Sequence, residues 1–182
     1  MGWHTLRADF TAAYGLSLPT GRYEDGANDN TGLGMVGQEL LFATTVYLNK
    51  QRSLHAATAA TFDFFSEKKD SDTKAGHILN LEGGFGADFL KGGLVVGLAY
   101  YGTFKLTDDK FESRLVSRLL QDKNRVWALG PEVTLALATR KAVYGFVTVR
   151  YQWELAARTT TEGAAWNIMA TFPLKPIRLP QP

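Results

Sequence analysis

The chain repeats one pattern in seven separate segments, in which apolar and polar residues alternate for about ten or more positions. In the first segment, Leu6, Phe10 and Leu16 occupy even positions, and Arg7 and Asp9 occupy odd positions. Because successive side chains of a strand point to opposite faces, each segment predicts a strand with one apolar and one polar face. Strands of soluble proteins average about 5–6 residues, whereas a tilted strand that crosses a membrane needs roughly 9–11.

An eighth segment, around residues 38–48, alternates less regularly. Leu40 and Phe42 fall on its apolar side, but Leu41 and Tyr47 fall on the other, so we count it as a strand with a weaker assignment of faces. The eight predicted strands cover residues 5–18, 38–48, 54–65, 77–89, 94–106, 125–138, 143–155 and 163–174. Side-chain parity predicts that Phe10, Leu81, Leu98, Leu135 and Val147 face outward, and that Glu82, Glu132 and Arg150 face inward.

The connections between these strands alternate in length. The long polar connections are 19–37, 66–76, 107–124 and 156–163, and the short turns are 49–53, 90–93 and 139–142. Transmembrane barrels combine short periplasmic turns with longer outer loops. The pattern therefore predicts an all-β, antiparallel up-and-down transmembrane β-barrel, a meander of eight strands in the cell outer membrane. The alternative is a soluble lipocalin-like barrel or sandwich, in which the apolar face would point inward.

Length and composition limit the other possibilities. At 182 residues we expect one β-barrel domain over 1–174, followed by a Pro-rich C-terminal tail at 175–182. The sequence has no run of about 18 apolar residues that could form a transmembrane helix. It has no cysteine, which excludes disulfides, thiolate metal ligands and cysteine nucleophiles. The net charge of +2, without a basic stripe, argues against a nucleic-acid partner.

Residues that could carry catalysis or bind a metal are sparse. The histidines at 4, 55 and 77 lie at different strand ends and lack metal-ligand spacing. Ser53 precedes His55 but lies in a turn, and the Asp- and Asn-rich loop 25–32 lacks the regular acidic spacing of a calcium loop. Loop 107–124 could form a lip helix or pack on neighbouring loops. We therefore predict no enzyme activity, no catalytic residue, no metal and no cofactor.

Charged residues on the polar faces form the candidate site. The 139–142 turn sets a register that places Glu132 beside Arg150, and the 90–93 turn places Glu82 beside Tyr101. A buried charge requires a partner, so these neighbours either neutralise the interior of a plugged barrel or form a polar constriction that contacts solute. The predicted lumen residues with possible solute contact are Glu82, Tyr101, Glu132, Arg150 and Gln152.

Several short motifs resemble those of a known family. Leu18-Pro19-Thr20-Gly21-Arg22-Tyr23 is similar to the Pro-Thr-Gly-x-Tyr loop of the outer-membrane β-barrel family of the MetA pathway of phenol degradation. Further similar segments are Leu129-Gly130-Pro131-Glu132, Arg150-Tyr151-Gln152-Trp153-Glu154, Glu162-Gly163 and Thr171-Phe172-Pro173-Leu174. Members of that family resemble larger barrels with a signal peptide and further strands ahead of the Pro-Thr-Gly loop. The resemblance implies that this chain lacks both and is the C-terminal part of a larger barrel.

Two functions follow. The resemblance implies an outer-membrane transporter or channel for hydrophobic or aromatic small molecules linked to phenol-type degradation, with membrane lipid and such solutes as partners. The strand count favours an alternative, because eight strands closed on themselves leave an interior that side chains just fill. The alternative is a small closed outer-membrane barrel with a structural or loop-display role and no pore.

Overall fold

The chain folds as one antiparallel sheet. The computed structural model describes residues 1–24, 27–69, 71–111, 123–139, 141–158 and 162–178. Its strands are β1 Gly2–His4, β2 Ala8–Ser17, β3 Gly37–Tyr47, β4 Leu54–Phe65, β5 Ile78–Phe89, β6 Leu94–Lys105, β7 Arg125–Ala138, β8 Ala142–Arg158, β9 Ala164–Thr171 and β10 Ile177–Arg178. The all-β antiparallel meander is confirmed, because β2 to β9 correspond in order to the eight predicted strands.

Each strand from β2 to β8 pairs with the strand that follows it in sequence, and the two ends of the sheet carry additional short strands. β1 pairs with β2 through Trp3 and Phe10, and β10 pairs with β8 through Arg178 and Ala142. Among the described residues no ladder joins β2 to β9, so the sheet is open rather than a closed barrel. The segment predicted as a tail therefore contributes two residues to the sheet.

The pairing register separates two faces, because cross-strand neighbours point to the same side. Phe10, Leu81, Leu98, Leu135 and Val147 lie on one side, as predicted, which we call the apolar face. Glu82, Glu132 and Arg150 lie on the other side, which we call the polar face. The uncertain strand follows the same rule, with Leu40 and Phe42 on the apolar face and Leu41 and Tyr47 on the polar face.

The apolar face is not covered by any other part of the described chain. Leu98 is 52% exposed, and the buried apolar side chains are limited to the small residues Ala99, Ala128 and Ala142 within the described ranges. The accessible surface is 12857 Å² for a chain of 20.1 kDa. A compact monomer of that mass exposes roughly 8,700 Å². The large apolar side chains therefore do not form the interior that a soluble barrel or sandwich requires.

The long connections meet at one end of the sheet, which we call the long-loop end. The Pro-Thr-Gly segment packs there through close backbone contacts, and the ring of Tyr23 lies over Gly34, whose φ is 69°. A Cβ atom at Gly34 would lie 2.4 Å from that ring, so both the space and the backbone conformation require glycine. The ammonium of Lys68 lies 5.8 Å from the centre of the Tyr23 ring and ties this loop to the next one.

A second contact at the long-loop end is ionic. Lys105, at the end of β6, donates a 2.5 Å hydrogen bond to Asp109 Oδ2, and the Gly76 backbone N–H donates to Asp109 Oδ1 at 2.8 Å. Burial raises the pKa of Asp109, but the bonds from Lys105 and Gly76 outweigh burial and hold that pKa below its usual range. For loop 107–124 we predicted either a lip helix or packing on neighbouring loops. Most of this loop, residues 112–122, lies outside the described residues.

Candidate functional site

A groove of about 310 Å³ lies on the polar face and is lined by residues of β3 to β8. Its floor consists mainly of small residues, and its polar side chains come from several strands. The charged or titratable residues that line it are His55, Glu82, Glu132 and Arg150. Three of the five predicted site residues, Glu82, Glu132 and Arg150, therefore line one concave site.

Glycines create the space for this groove. At Gly86 a Cβ atom would lie 2.7 Å from Nε2 of His55, and at Gly97 it would lie 2.4 Å from the Phe85 carbonyl oxygen. These glycines pair directly with each other across β5 and β6. A side chain at either position would displace the imidazole of His55 or separate the two strands. The groove therefore requires glycine at both positions.

Glu132 and Arg150 form the predicted ion pair. They are direct cross-strand neighbours on β7 and β8, and Arg150 Nε donates to Glu132 Oε2 at 2.6 Å. Arg150 Nη2 contacts the same oxygen. The side chains are 27% and 25% exposed, so the pair is partly hydrated at the margin of the groove. The register argument from the 139–142 turn is confirmed.

Glu82 and Tyr101 are neighbours in the ladder between β5 and β6, as predicted, but their side chains do not bond to each other. The hydroxyl of Tyr101 donates instead to Glu154 Oε1 at 2.8 Å. Among the described residues the Glu82 carboxylate has no hydrogen-bond or ionic partner, and it is exposed to the groove. Glu82 is therefore an available acceptor, whereas Tyr101 is already engaged.

Gln152 is enclosed between these two pairs. Its side chain is 2% exposed, and its Nε2 has no hydrogen-bond partner. The space for it exists because Gly130 lies alongside, where a Cβ atom would lie 2.7 Å from Gln152 Cα. An amide donor without an acceptor is costly in a buried place, so Gln152 marks a position where a ligand oxygen or a water molecule would be stabilising.

Carboxylates dominate the polar face. Within β2 to β9 its acidic residues are Asp9, Glu39, Asp63, Glu82, Asp88, Glu132 and Glu154, and its basic residues are Lys105 and Arg150. The net charge of the whole chain is +2, so this face differs in sign from the remainder of the molecule. Glu154 was not among the predicted site residues, although it shares the parity of Arg150 and Gln152.

The other residues considered from sequence do not assemble into a catalytic site in the described part of the chain. Ser53 Oγ accepts a 2.7 Å hydrogen bond from Asn49, while His55 Nδ1 lies 4.0 Å from Asp88 Oδ2. In loop 25–32 the amide of Asn30 donates to the carbonyl of Ala27, which is the usual turn chemistry of asparagine. Residues 25–26 of that loop lie outside the described residues. The described residues contain no group of three potential metal ligands.

The fold and its two faces define an antiparallel all-β meander with a polar groove on one side and an uncovered apolar surface on the other. The model of the family described as "Putative MetA-pathway of phenol degradation" matches residues 1–169, and the chain belongs to this family. The match confirms the resemblance carried by the Pro-Thr-Gly loop and the later motifs. No curated protein and no solved structure matches the chain. No helix among the described residues is long and apolar enough to span a membrane.

Proposed function

We propose that this chain is an outer-membrane β-barrel protein, or the C-terminal part of one, that carries hydrophobic or aromatic small molecules linked to phenol-type degradation. Its apolar face contacts lipid, and its polar face contacts the solute. In this proposal it is not an enzyme and has no nucleic-acid partner. The observation that carries the proposal is the separation of the sheet into a lipid-compatible face and a charged face with a groove.

The charge distribution on the apolar face supports contact with hydrocarbon. Within β2 to β9 the charged residues on that face are Arg125 and Arg158. They are cross-strand neighbours in the β7–β8 ladder and lie at the long-loop end. A charge in the middle of a lipid-facing surface is costly, whereas arginine near a strand end can reach the headgroups. An apolar surface of this extent is rare on a soluble monomer.

The groove supports contact with a small aromatic solute. Its floor of small residues leaves space, the carboxylate of Glu82 is available to accept a hydrogen bond, and Arg150 is held in place by Glu132. A phenolic hydroxyl is a hydrogen-bond donor on an apolar ring, so it matches a carboxylate acceptor in a groove with small apolar walls.

The alternative function, a closed barrel without a pore, also has support. The pairs Glu132–Arg150 and Tyr101–Glu154 neutralise charges on the polar face without any solute. Because unpaired strand edges are not tolerated in hydrocarbon, the edges at β2 and β9 must pair with each other or with further strands. Only further strands would widen the barrel into a channel.

The two functions differ in a binding experiment with the full chain inserted in phosphatidylcholine vesicles. The transport proposal predicts saturable phenol binding by calorimetry that weakens in Glu82→Gln and stays unchanged in Glu67→Gln, a control at the long-loop end. Normal insertion without such binding would favour the structural alternative, and failure to insert would contradict both. In planar bilayers we expect the 182-residue chain alone to give no stable single-channel conductance.

A further inference from the structure

Charge is segregated along the strand axis as well as across the sheet. The short turns, the N-terminal segment and the segment after β9 all lie at one end of the sheet. We call it the short-turn end, and its described residues are 1–7, 48–53, 90–93, 139, 141–142 and 172–178. Its charged residues in the described ranges are Arg7, Lys50, Arg52, Lys91, Lys141, Lys175 and Arg178. The sequence has no acidic residue in any of these ranges. The long-loop end, in contrast, carries both signs, as Lys68 and Asp72 illustrate.

The structure gathers these cations into one collar. β10 places Arg178 opposite Ala142, so the segment after β9 lies beside the turn that carries Lys141. On the other side, the guanidinium of Arg52 donates to the carbonyl oxygens of Thr5 and Leu6, which ties turn 48–53 to the N-terminal segment that carries Arg7. Arg52 therefore has a structural role in the collar. The other cations of the collar make no such hydrogen bond among the described residues.

Exposed leucines accompany the cations. Leu6 is 91% exposed next to Arg7, Leu90 is 77% exposed next to Lys91, and Leu174 is fully exposed next to Lys175. At Leu90 and Lys91 the φ values are 52° and 57°, a conformation that residues other than glycine seldom adopt. The tight turn therefore presents a leucine and a lysine together, and both residues are exposed.

A leucine beside a cation is the combination that binds the boundary between anionic headgroups and acyl chains. The apolar side chain enters the upper acyl region, while the cation stays with the phosphates. We infer that the short-turn end binds the anionic phospholipids of the membrane leaflet that it faces. This inference rests on the proposed membrane location, and it adds that the leaflet at the short-turn end is recognised by headgroup charge.

The test uses energy transfer from tryptophan to a dansyl-labelled headgroup in vesicles that contain the full chain. Trp3 lies at the short-turn end, and the tryptophans at 127, 153 and 166 lie in strand halves nearer the long-loop end. The difference in energy transfer between the unmodified chain and the Trp3→Phe variant is the signal from the short-turn end. In phosphatidylcholine vesicles with a trace of labelled lipid, we expect this signal to be several-fold stronger for labelled phosphatidylglycerol than for labelled phosphatidylcholine. The preference should disappear at 0.5 M salt.

A charge-matched pair of variants separates the collar from a general effect of net charge. The triple variant Lys50→Gln, Lys91→Gln, Lys141→Gln removes free cations of the collar, and Lys74→Gln, Lys110→Gln, Lys123→Gln removes as many at the long-loop end. Since each cation near an anionic surface changes affinity by about fivefold, the collar variant should lower the preference at least tenfold, and the control should keep it.

Three results would overturn the inference. These are equal transfer to both labelled lipids, an equal loss in both triple variants, or loss of the preference when inorganic phosphate replaces chloride at constant ionic strength. The last result would assign the collar to free anions. A chain that shows no energy transfer from any tryptophan, in any vesicle, would instead contradict the proposed membrane location.

Discussion

The guanidinium of Arg150 on β8 donates from Nε to Oε2 of Glu132 on β7 at 2.6 Å, and the two residues face each other directly in the ladder. Because Arg150 also lines the groove, this contact holds a cation in position in the same groove as the available carboxylate of Glu82. The pair thus links the stability of the β7–β8 hairpin to the electrostatics of the candidate site.

Removal of either partner should destabilise the fold. A fully buried pair would lose about 3–5 kcal/mol, and an exposed pair less than about 1 kcal/mol. With side chains about one quarter exposed, we expect an intermediate loss of roughly 1.5–3 kcal/mol for Arg150→Met. Urea unfolding of Glu132→Gln, Arg150→Met and the double variant gives the coupling energy. A coupling energy indistinguishable from zero would show that the two side chains do not interact.

Gly130 should not tolerate a side chain. A Cβ atom there would lie 1.7 Å from the Tyr151 carbonyl oxygen, so Gly130→Ala should separate β7 from β8 and cost about 1–3 kcal/mol or more. At Gly163 the nearest atom is a Glu154 carboxylate oxygen at 3.8 Å, so Gly163→Ala is the control and should be close to neutral. Equal stability of the two variants would contradict the close packing next to Gln152.

The strands and their faces were predictable from sequence because alternation carries that information directly. The 90–93 and 139–142 turns also fixed the neighbours of Glu82 and Glu132. The hydrogen bond from Tyr101 to Glu154 could not be predicted from a single hairpin, because it joins β6 to β8 across the small Ala128 of β7, and these two strands are not neighbours in the sheet. β1 and β10 are two or three residues long, too short for any alternation to be visible. The burial of Gln152 depends on the close approach of Gly130, which sequence parity does not reveal.

The acidic polar face should discriminate against anions. A neutral phenol should bind the chain in vesicles more tightly than benzoate of similar size. The reason is that seven carboxylates on this face repel the negative charge of benzoate. Glu82→Gln should reduce the difference in affinity between phenol and benzoate, since it removes the one carboxylate of the groove that has no partner among the described residues. Calorimetry with both solutes checks this, and tighter benzoate binding would contradict it.

The Asp109 contact should depend on pH in one direction. Its pKa is lowered in the folded state, so its contribution is present above the pKa of an unfolded aspartate and is lost as the pH falls through the folded value. The exchange protection of the Gly76 amide, which donates to Asp109, should stay constant from neutral pH to roughly pH 4 and decrease below. Asp109→Asn should weaken this protection at neutral pH. Protection that increases on acidification would contradict the assignment.

Arginine on the apolar face should be costly in a manner that depends on depth. Leu98 lies near the middle of β6, whereas Leu135 lies close to the end of β7 at a short turn. In a bilayer, Leu98→Arg should cost about 2–4 kcal/mol and Leu135→Arg less. The control is Ala136→Arg, next to Leu135 on the polar face, which should cost least. Unfolding in vesicles measures all three, and a uniform cost would argue against a membrane-embedded apolar face.

The central claim is that the apolar face contacts lipid and the polar face does not. It can be tested on one strand, because the chain has no cysteine and single nitroxide labels can be attached at Phe85→Cys and Glu82→Cys of β5. Electron paramagnetic resonance of the full chain in vesicles then compares relaxation by oxygen, which is concentrated in lipid, with relaxation by a water-soluble nickel complex. We predict that oxygen dominates at position 85 and the nickel complex at position 82. Nickel dominance at both positions, or oxygen dominance at position 82 alone, would contradict the account.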